Sequence, residues 1–253
     1  MVEATGHSIE DRKRYILDLL HRDGQVDVAR TARSLQVSEM TVRRDLARLD
    51  SEGVLQRVHG GATAPRPRFS KRVGVMVEAK SAIARKVAEL IVSGDTVGLD
   101  SGTSCRAVAA ELAPRDDLLI VTNSIQAAVE FQYSRSSVIV LGGMLTSEAT
   151  LVSGDLVEKR RQLQLNKLVL GCGGLTALDG ISYFDVAETE VRRSLLGQSD
   201  TVIMAADHTK LGQRKGVVLD RIDVLDVLVT DKEPDRDLRN ELLSAGVEIV
   251  VTG

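Results

Sequence analysis

Apolar residues recur at helical spacing through the first fifty residues. Ser8, followed by Ile9, Glu10 and Asp11, reads as a helix cap with an acidic first turn, and Tyr15, Ile16, Leu19 and Leu20 then share one face as far as Gly24. Asp27 is placed to cap a second helix over residues 28–35. Gln36 and Val37 make a tight connection to Ser38, which caps a third helix with Val42, Leu46 and Leu49 on its inner face. Glu39, Met40, Thr41, Arg43 and Arg44 surround the N-terminal half of that helix. The spacing suits a helix-turn-helix, and equally an ordinary three-helix bundle with a solvated arginine face. The run Val54-Leu55-Gln56-Arg57-Val58-His59-Gly60-Gly61-Ala62 favours the former, because β-prone residues around a glycine turn predict a hairpin wing beside the third helix.

Beyond residue 80 the period alternates between helix and strand. Helices are predicted over 81–92, 103–112, 124–133, 188–196 and 235–244. Strands are predicted over 96–99, 118–121, 138–141, 168–170, 201–205, 224–229 and 247–251. Such alternation predicts an α/β domain with a largely parallel, doubly wound sheet. Between the two patterns, residues 63–77 hold Pro65, Pro67, Arg66, Arg68, Lys71 and Arg72 with little apolar periodicity, and read as a linker. The expected organisation is a winged helix-turn-helix domain over 1–62, the linker over 63–77, and an α/β domain over 78–253.

Composition adds two constraints. The chain is 43% hydrophobic and 27% charged, an ordinary globular balance for 253 residues, with no apolar run near the roughly 20 residues a membrane helix needs. A cytoplasmic protein without membrane association is expected. The formal charge of −3 conceals a division: residues 1–72 hold 14 Lys and Arg against 10 Asp and Glu, net +4, while the remainder holds 19 against 26, net −7. A basic module beside an acidic one suits a protein that meets phosphates at one end. Cys105 and Cys172 are far apart and outside any zinc spacing, and His7, His21, His59 and His208 form no ligand cluster, so neither a metal nor a cofactor is expected.

Arg43 and Arg44 lie in the first turns of the third helix, where side chains reach guanine edges or phosphates, with Ser38, Met40 and Thr41 beside them and Arg57 and His59 on the wing. Aromatics make up only 2% of the chain, too few to stack unpaired bases, so duplex DNA is the better target. In the α/β region, polar and glycine-rich residues follow the strands: Asp100-Ser101-Gly102-Thr103-Ser104, Thr122-Asn123-Ser124, Gly142-Gly143, Gly171-Cys172-Gly173-Gly174 and Asp207-His208-Thr209-Lys210. Ligands of open α/β sheets bind at that edge, and a strand–Gly–helix turn offers free N–H groups to a phosphate, with Lys210 as a cation.

The stretch Val37-Ser38-Glu39-Met40-Thr41-Val42-Arg43-Arg44-Asp45-Leu46, with Leu49, Gly53 and Arg57-Val58-His59-Gly60-Gly61-Ala62, resembles the N-terminal signature of the DeoR family of sugar-metabolism regulators. The likeness continues through Lys80 with Ile83-Ala84, Asp100-Ser101-Gly102-Thr103, Thr122-Asn123-Ser124, Gly142-Gly143, Glu188 with Glu190, and Ala206-Asp207-His208-Thr209-Lys210-Leu211-Gly212. It implies a recognition helix bearing Ser38, Thr41, Arg43 and Arg44. It also implies a second domain similar in fold to ribose-5-phosphate isomerase, in which Lys80, Asp100, Ser101, Gly102, Thr103, Asn123 and Lys210 line a pocket for a phosphorylated sugar or related effector. Ser104, Gly142, Gly143 and Gly173 complete the candidate effector set. Arg192, Asn166 and Leu170 stand where the family usually has lysine, aspartate and phenylalanine.

The function implied is a sequence-specific regulator, by the family's common pattern a repressor, that binds double-stranded operator DNA as a dimer or tetramer and responds to the effector. The alternative is an isomerase-like enzyme fused to a DNA-binding module. Aldose–ketose isomerisation needs a carboxylate base beside the carbon that loses its proton, yet the loop after residues 168–170 is Gly171-Cys172-Gly173-Gly174. Asp207 and Asp185 lack the expected context, and Cys172 lacks a base. No catalytic residue is assigned.

Overall fold

A computed structural model describes residues 8–58, 60–63, 69–146, 148–152 and 163–253, and the chain divides into two units, residues 1–67 and 68–253. In the first unit, helix α1 (Ile9–Asp23) opens on a capping box: the Asp11 N–H donates to the Ser8 hydroxyl, and the Ser8 N–H donates to the Asp11 carboxylate. Strand β1 (Gln25–Asp27) leads into α2 (Val28–Leu35), whose Arg30 N–H is capped by Asp27. Gln36 turns left-handed, and Ser38 caps α3 (Glu39–Ser51) by accepting from the Thr41 N–H. All three caps fall where the sequence pattern places them. Ile16, Val42, Leu46 and Leu49 bury the facing stripes together with Leu55 and Ala62.

The expected wing is the antiparallel pair β2 (Gln56–Val58) and β3 (Gly61–Thr63). Unanticipated is its third member: β1 pairs with β3, with Val26 opposite Ala62, giving the order β1-β3-β2. Three residues are too short a run to show alternation, so β1 is set by the hairpin beside it rather than by its own pattern. The unit is a winged helix-turn-helix.

The stretch 63–77 is not the open linker that its prolines and charges suggest. Residues 64–68 lie outside the described residues, but Thr63 ends β3 and Phe69–Val73 forms a short helix, α4, where Arg72 pairs with Glu148. In chain order there follow α5 (Val77–Glu89), β4 (Thr96–Leu99), α6 (Thr103–Leu112), β5 (Leu119–Thr122), α7 (Ile125–Glu130), β6 (Ser137–Val140), and a hairpin of β7 (Met144–Leu145) with β8 (Leu151–Val152). Then come β9 (Leu165–Leu170), β10 (Gly174–Thr176), β11 (Gly180–Tyr183), α8 (Val186–Leu196), β12 (Ser199–Ala205), β13 (Val217–Asp220), β14 (Val227–Thr230), α9 (Arg236–Ser244) and β15 (Glu248–Val251).

Seven of these strands form one sheet in the order β15-β14-β12-β9-β4-β5-β6, every neighbouring pair parallel. Its residues alternate between two cores. Leu168, Leu170, Val202 and Met204 pack on one face with Val191 and Leu195 of α8 and Leu238 and Leu242 of α9. Val169, Ile203, Val97 and Leu99 pack on the other with Ile83 and Val87 of α5 and Val108 and Leu112 of α6. Helices on both faces make the sheet doubly wound, as expected. A small antiparallel sheet, β10-β11-β13, was not anticipated, because Gly174 and Gly180 interrupt its apolar pattern and the segment reads as loop.

The strand order places the site. From β4 the chain proceeds through β5 and β6 toward one edge, then returns to β9 on the other side of β4 and continues to β15. The direction of winding therefore reverses between β4 and β9, and in open sheets of this kind the loops leaving such a pair of strands bound a ligand-binding crevice at their carboxyl ends.

Candidate functional site

The loop from β4 to α6 forms one wall of this crevice. Gly102 holds φ +128°, a conformation that side-chain-bearing residues rarely adopt, and opens α6 with no side-chain cap. Added Cβ atoms at Gly102 meet nothing within 4 Å, so the uncapped first turn of α6, with half-buried Thr103 and Ser104, borders open space. A cavity of about 220 Å³ lies alongside, with Lys80, Ser81, Thr103 and Arg106 among its lining residues.

Beneath this loop is a buried polar cluster. Arg192, in α8, places Nε 2.8 Å from Asp100 Oδ1, donates from Nη2 to Ser101 Oγ at 2.8 Å, and reaches Glu188 Oε2 at 3.3 Å. Its guanidinium stacks 4.0 Å from the centroid of Tyr183, whose hydroxyl donates to the Gly171 carbonyl after β9. Arg192 and Asp100 are each 1% exposed. Burial opposes charge on the arginine, but Asp100, Tyr183 and Glu188 together hold its pKa above the ordinary value. Burial pushes the Asp100 carboxyl up, with Arg192 working against it. Asp100 Oδ2 and Arg192 Nη1 have no hydrogen-bond partner among the described residues.

Several expected effector residues therefore have structural partners. Asp100 and Ser101 contact Arg192. Lys80, also buried, donates from Nζ to the carbonyls of Arg72, at 2.9 Å, and of Val75, and so ties down the chain between α4 and α5. Burial lowers the Lys80 pKa, opposed by Asp207 and reinforced by Lys210 and Arg72. Asn123 donates to the Leu151 carbonyl and leaves its Oδ1 without a partner among the described residues. Gly173 is needed for packing: a Cβ there would lie 2.9 Å from both Lys215 Cγ and Phe184 Cε2. Gly142 and Gly143 follow β6 at the sheet's edge and are exposed, away from the β4–β9 reversal.

Lys210 sits in a 3-10 turn, His208–Lys210, half-buried, and its ammonium has no hydrogen-bond or ion-pair partner among the described residues. The turn is anchored by Asp207, which accepts from the Thr209 N–H, and by Asp231, which accepts from the His208 N–H at 2.6 Å and contacts Nδ1 at 2.6 Å.

Arg192 and Tyr183 were not singled out from sequence as site residues. A signal for the arginine exists: Glu188, Val191, Arg192 and Leu195 follow i, i+3, i+4, i+7 spacing, which puts two charges on the buried face of an amphipathic helix.

In the first unit, Met40, Arg43 and Arg44 are exposed on the N-terminal half of α3. Arg43 pairs with Glu39 at 2.8 Å, whereas Arg44 has no partner among the described residues. The Ser38 and Thr41 hydroxyls lie 2.9 Å apart, both engaged at the helix cap. The Arg57 side chain is exposed on β2, and His59 lies outside the described residues. Arg12 grips Asp45 through Nε at 2.6 Å and Nη2 at 3.1 Å, fixing α3 against α1.

A winged helix-turn-helix with an exposed arginine on its third helix, followed in the chain by a doubly wound α/β domain, is the construction of a DNA-binding regulator. Residues 12–68 match the DeoR-like helix-turn-helix domain and residues 75–232 the DeoR C terminal sensor domain; the chain belongs to the DeoR family. It is 32% identical over 250 residues to the HTH-type transcriptional repressor GlcR of Bacillus subtilis (strain 168), covering 96% of both chains. It is also 32% identical over 229 residues to the glycerol-3-phosphate regulon repressor of Escherichia coli (strain K12), covering 88% of this chain and 91% of that one. A solved D-ribose-5-phosphate isomerase aligns over 53% of this chain and 54% of its own, at 15% identity and a TM-score of 0.41, too distant to carry weight. The curated relatives are transcription regulators rather than enzymes, and the isomerase alternative is set aside with them.

Two outcomes follow from the buried cluster. Arg192→Met leaves two buried carboxylates without their cation and should destabilise the α/β unit by about 3–5 kcal/mol in urea unfolding; a change below about 1 kcal/mol would show that the cluster is not structural. Burial pushes the Cys172 thiol up to about 12 and Cys105 well above its ordinary value, so both thiols stay protonated at neutral pH. Native protein at pH 7.5 should react with iodoacetamide far more slowly than free cysteine, reaching the free rate only after unfolding.

Proposed function

We propose that this regulator represses a carbohydrate-metabolism operon and that its hold on operator DNA is modulated by a phosphorylated sugar or related metabolite bound in the crevice outside β4 and β9. The observation that carries this reading is the pairing of an uncapped α6 N-terminus, open at Gly102, with the unpartnered ammonium of Lys210. Helix N-termini attract anions through free N–H groups and the helix dipole, and an unpaired lysine adds full positive charge. Thr103, Ser104 and the orphaned Asn123 oxygen supply groups for sugar hydroxyls. The likeness to a glycerol-3-phosphate regulon repressor supports an effector of this class.

On the DNA side, Arg44 is the foremost base reader, Arg43 reads or grips phosphate when released from Glu39, and Met40 offers an apolar contact. Ser38 and Thr41 contact the sugar–phosphate backbone while capping α3, and Arg57 with His59 grips it from the wing. The regulator works in the cytoplasm as a homo-oligomer. Exposed Tyr133, Ile139, Val140, Met144 and Leu145, at and beyond the β6 edge, give the α/β unit an apolar surface suited to self-association. Among the described residues no helix is long and apolar enough to cross a membrane.

A thermal-shift panel of sugar phosphates and their free sugars tests the sensor reading. One phosphorylated compound should raise Tm and its unphosphorylated counterpart should not, because a ligand specific for the native state stabilises it. A panel with no response, or an equal response to both forms, removes the phosphate from the account. For the DNA side, Arg44→Ala should weaken binding to a duplex selected from a random library by about 1–3 kcal/mol while leaving the circular dichroism spectrum unchanged; parental affinity would show that α3 does not read the bases.

A further inference from the structure

Lys215 belongs to none of the motifs above, yet the chain holds it beside them. After the His208–Lys210 turn the backbone runs back over β10: Leu211 bridges to Leu175, the Gly212 N–H donates to the Leu175 carbonyl at 2.8 Å, and the Lys215 N–H donates to Ser182 Oγ at 2.9 Å. The strap lies so close that only glycine fits beneath it. A Cβ at Gly174 would sit 2.1 Å from the Gln213 carbonyl oxygen, and one at Gly173 would meet Lys215 Cγ at 2.9 Å.

The strap carries a lysine at each end: Lys210 in the turn that follows β12, and Lys215 with its Cγ over Gly173, just beyond Cys172 at the end of β9. Both are half-buried, and neither has a carboxylate partner among the described residues. Lys215 Nζ lies 5.7 Å from the Phe184 ring centroid. Burial lowers the Lys215 pKa and the neighbouring Lys210 lowers it further, while the same two lysines act on the Cys172 thiol. Two partly desolvated ammonium groups without an anion repel each other, an arrangement that an arriving anion relieves.

We propose that Lys215 is a second cation of the effector site and that, with Lys210, it grips one phosphoryl group of the ligand. The proposal rests on the crevice being the site of a phosphorylated effector, and it makes Lys215 a residue that selects doubly charged phosphoryl groups over neutral or singly charged ones.

Inorganic phosphate is the probe, titrated at pH 7.5 into the full-length protein and its K215M, K215R and K210M variants, with binding read by calorimetry and thermal shift. Phosphate should bind the parent, K215M should weaken it about tenfold or more, and K215R should keep most of the affinity. Without phosphate, K215M should melt no lower than the parent, since it removes repulsion rather than support. If K210M loses phosphate binding while K215M titrates like the parent, Lys215 is not in the site and the crevice reading stands. A K215M variant that melts lower but binds phosphate normally would likewise overturn the proposal, assigning Lys215 a packing role. If the parent binds neither phosphate nor any phosphomonoester, both readings fall together.

Discussion

One buried guanidinium organises the crevice. Arg192 reaches from α8 to the two residues that follow β4, to Glu188 on its own helix and to the ring of Tyr183 on β11, and Tyr183 in turn bonds to Gly171 after β9. Three elements meet on this side chain, and β9 joins them through Tyr183, at the place where the sheet reverses its winding. Burying charge is costly, and an apolar cluster of the same volume is often as stable. A polar cluster does what an apolar one does not: it fixes the direction in which the β4 loop leaves the sheet, and with it the first turn of α6. The open N-terminus of that helix is thus a consequence of packing two layers below it.

The first unit shows the opposite economy of charge. Its sequence is net positive, but much of that charge is spent internally: Arg12 on Asp45, Lys13 and Arg48 on Glu52, and Arg43 on Glu39. Apart from the largely buried, two-bonded Arg12–Asp45 pair, these exposed and half-exposed pairs contribute little to stability individually. They do decide which cations remain for a partner, and Arg44 on α3 and Arg57 on the wing stand out. Net charge points to the unit that meets DNA, whereas pairing shows which of its cations are left unengaged among the described residues.

What was legible in the sequence was local. Ser8, Asp27 and Ser38 mark their helices because a cap depends on residues three positions away, and β4 and α6 begin and end where the apolar period changes. Strands β1, β10 and β11 were illegible for the complementary reason: each is short, and its pairing is set by residues distant in the chain. The candidate site divides in the same way. Gly102 and Lys210 sit in recognisable turns. Asp100 carries a family motif, but its partner Arg192 is 92 positions onward, and only the folded sheet brings the two together. Gly173 stands among the expected effector residues, and the structure gives it a different necessity in the strap packed above it.

Whether occupancy of the crevice alters the hold on DNA is read by a fluorescence-anisotropy titration of the full-length protein onto its operator duplex, with and without a saturating sugar phosphate. Coupling of ordinary strength, about 1–3 kcal/mol, predicts a shift in operator Kd of roughly 5- to 150-fold with the phosphorylated compound and none with the free sugar. An operator Kd unchanged at saturating ligand would contradict such coupling, leaving a DNA-binding protein whose crevice serves some other purpose.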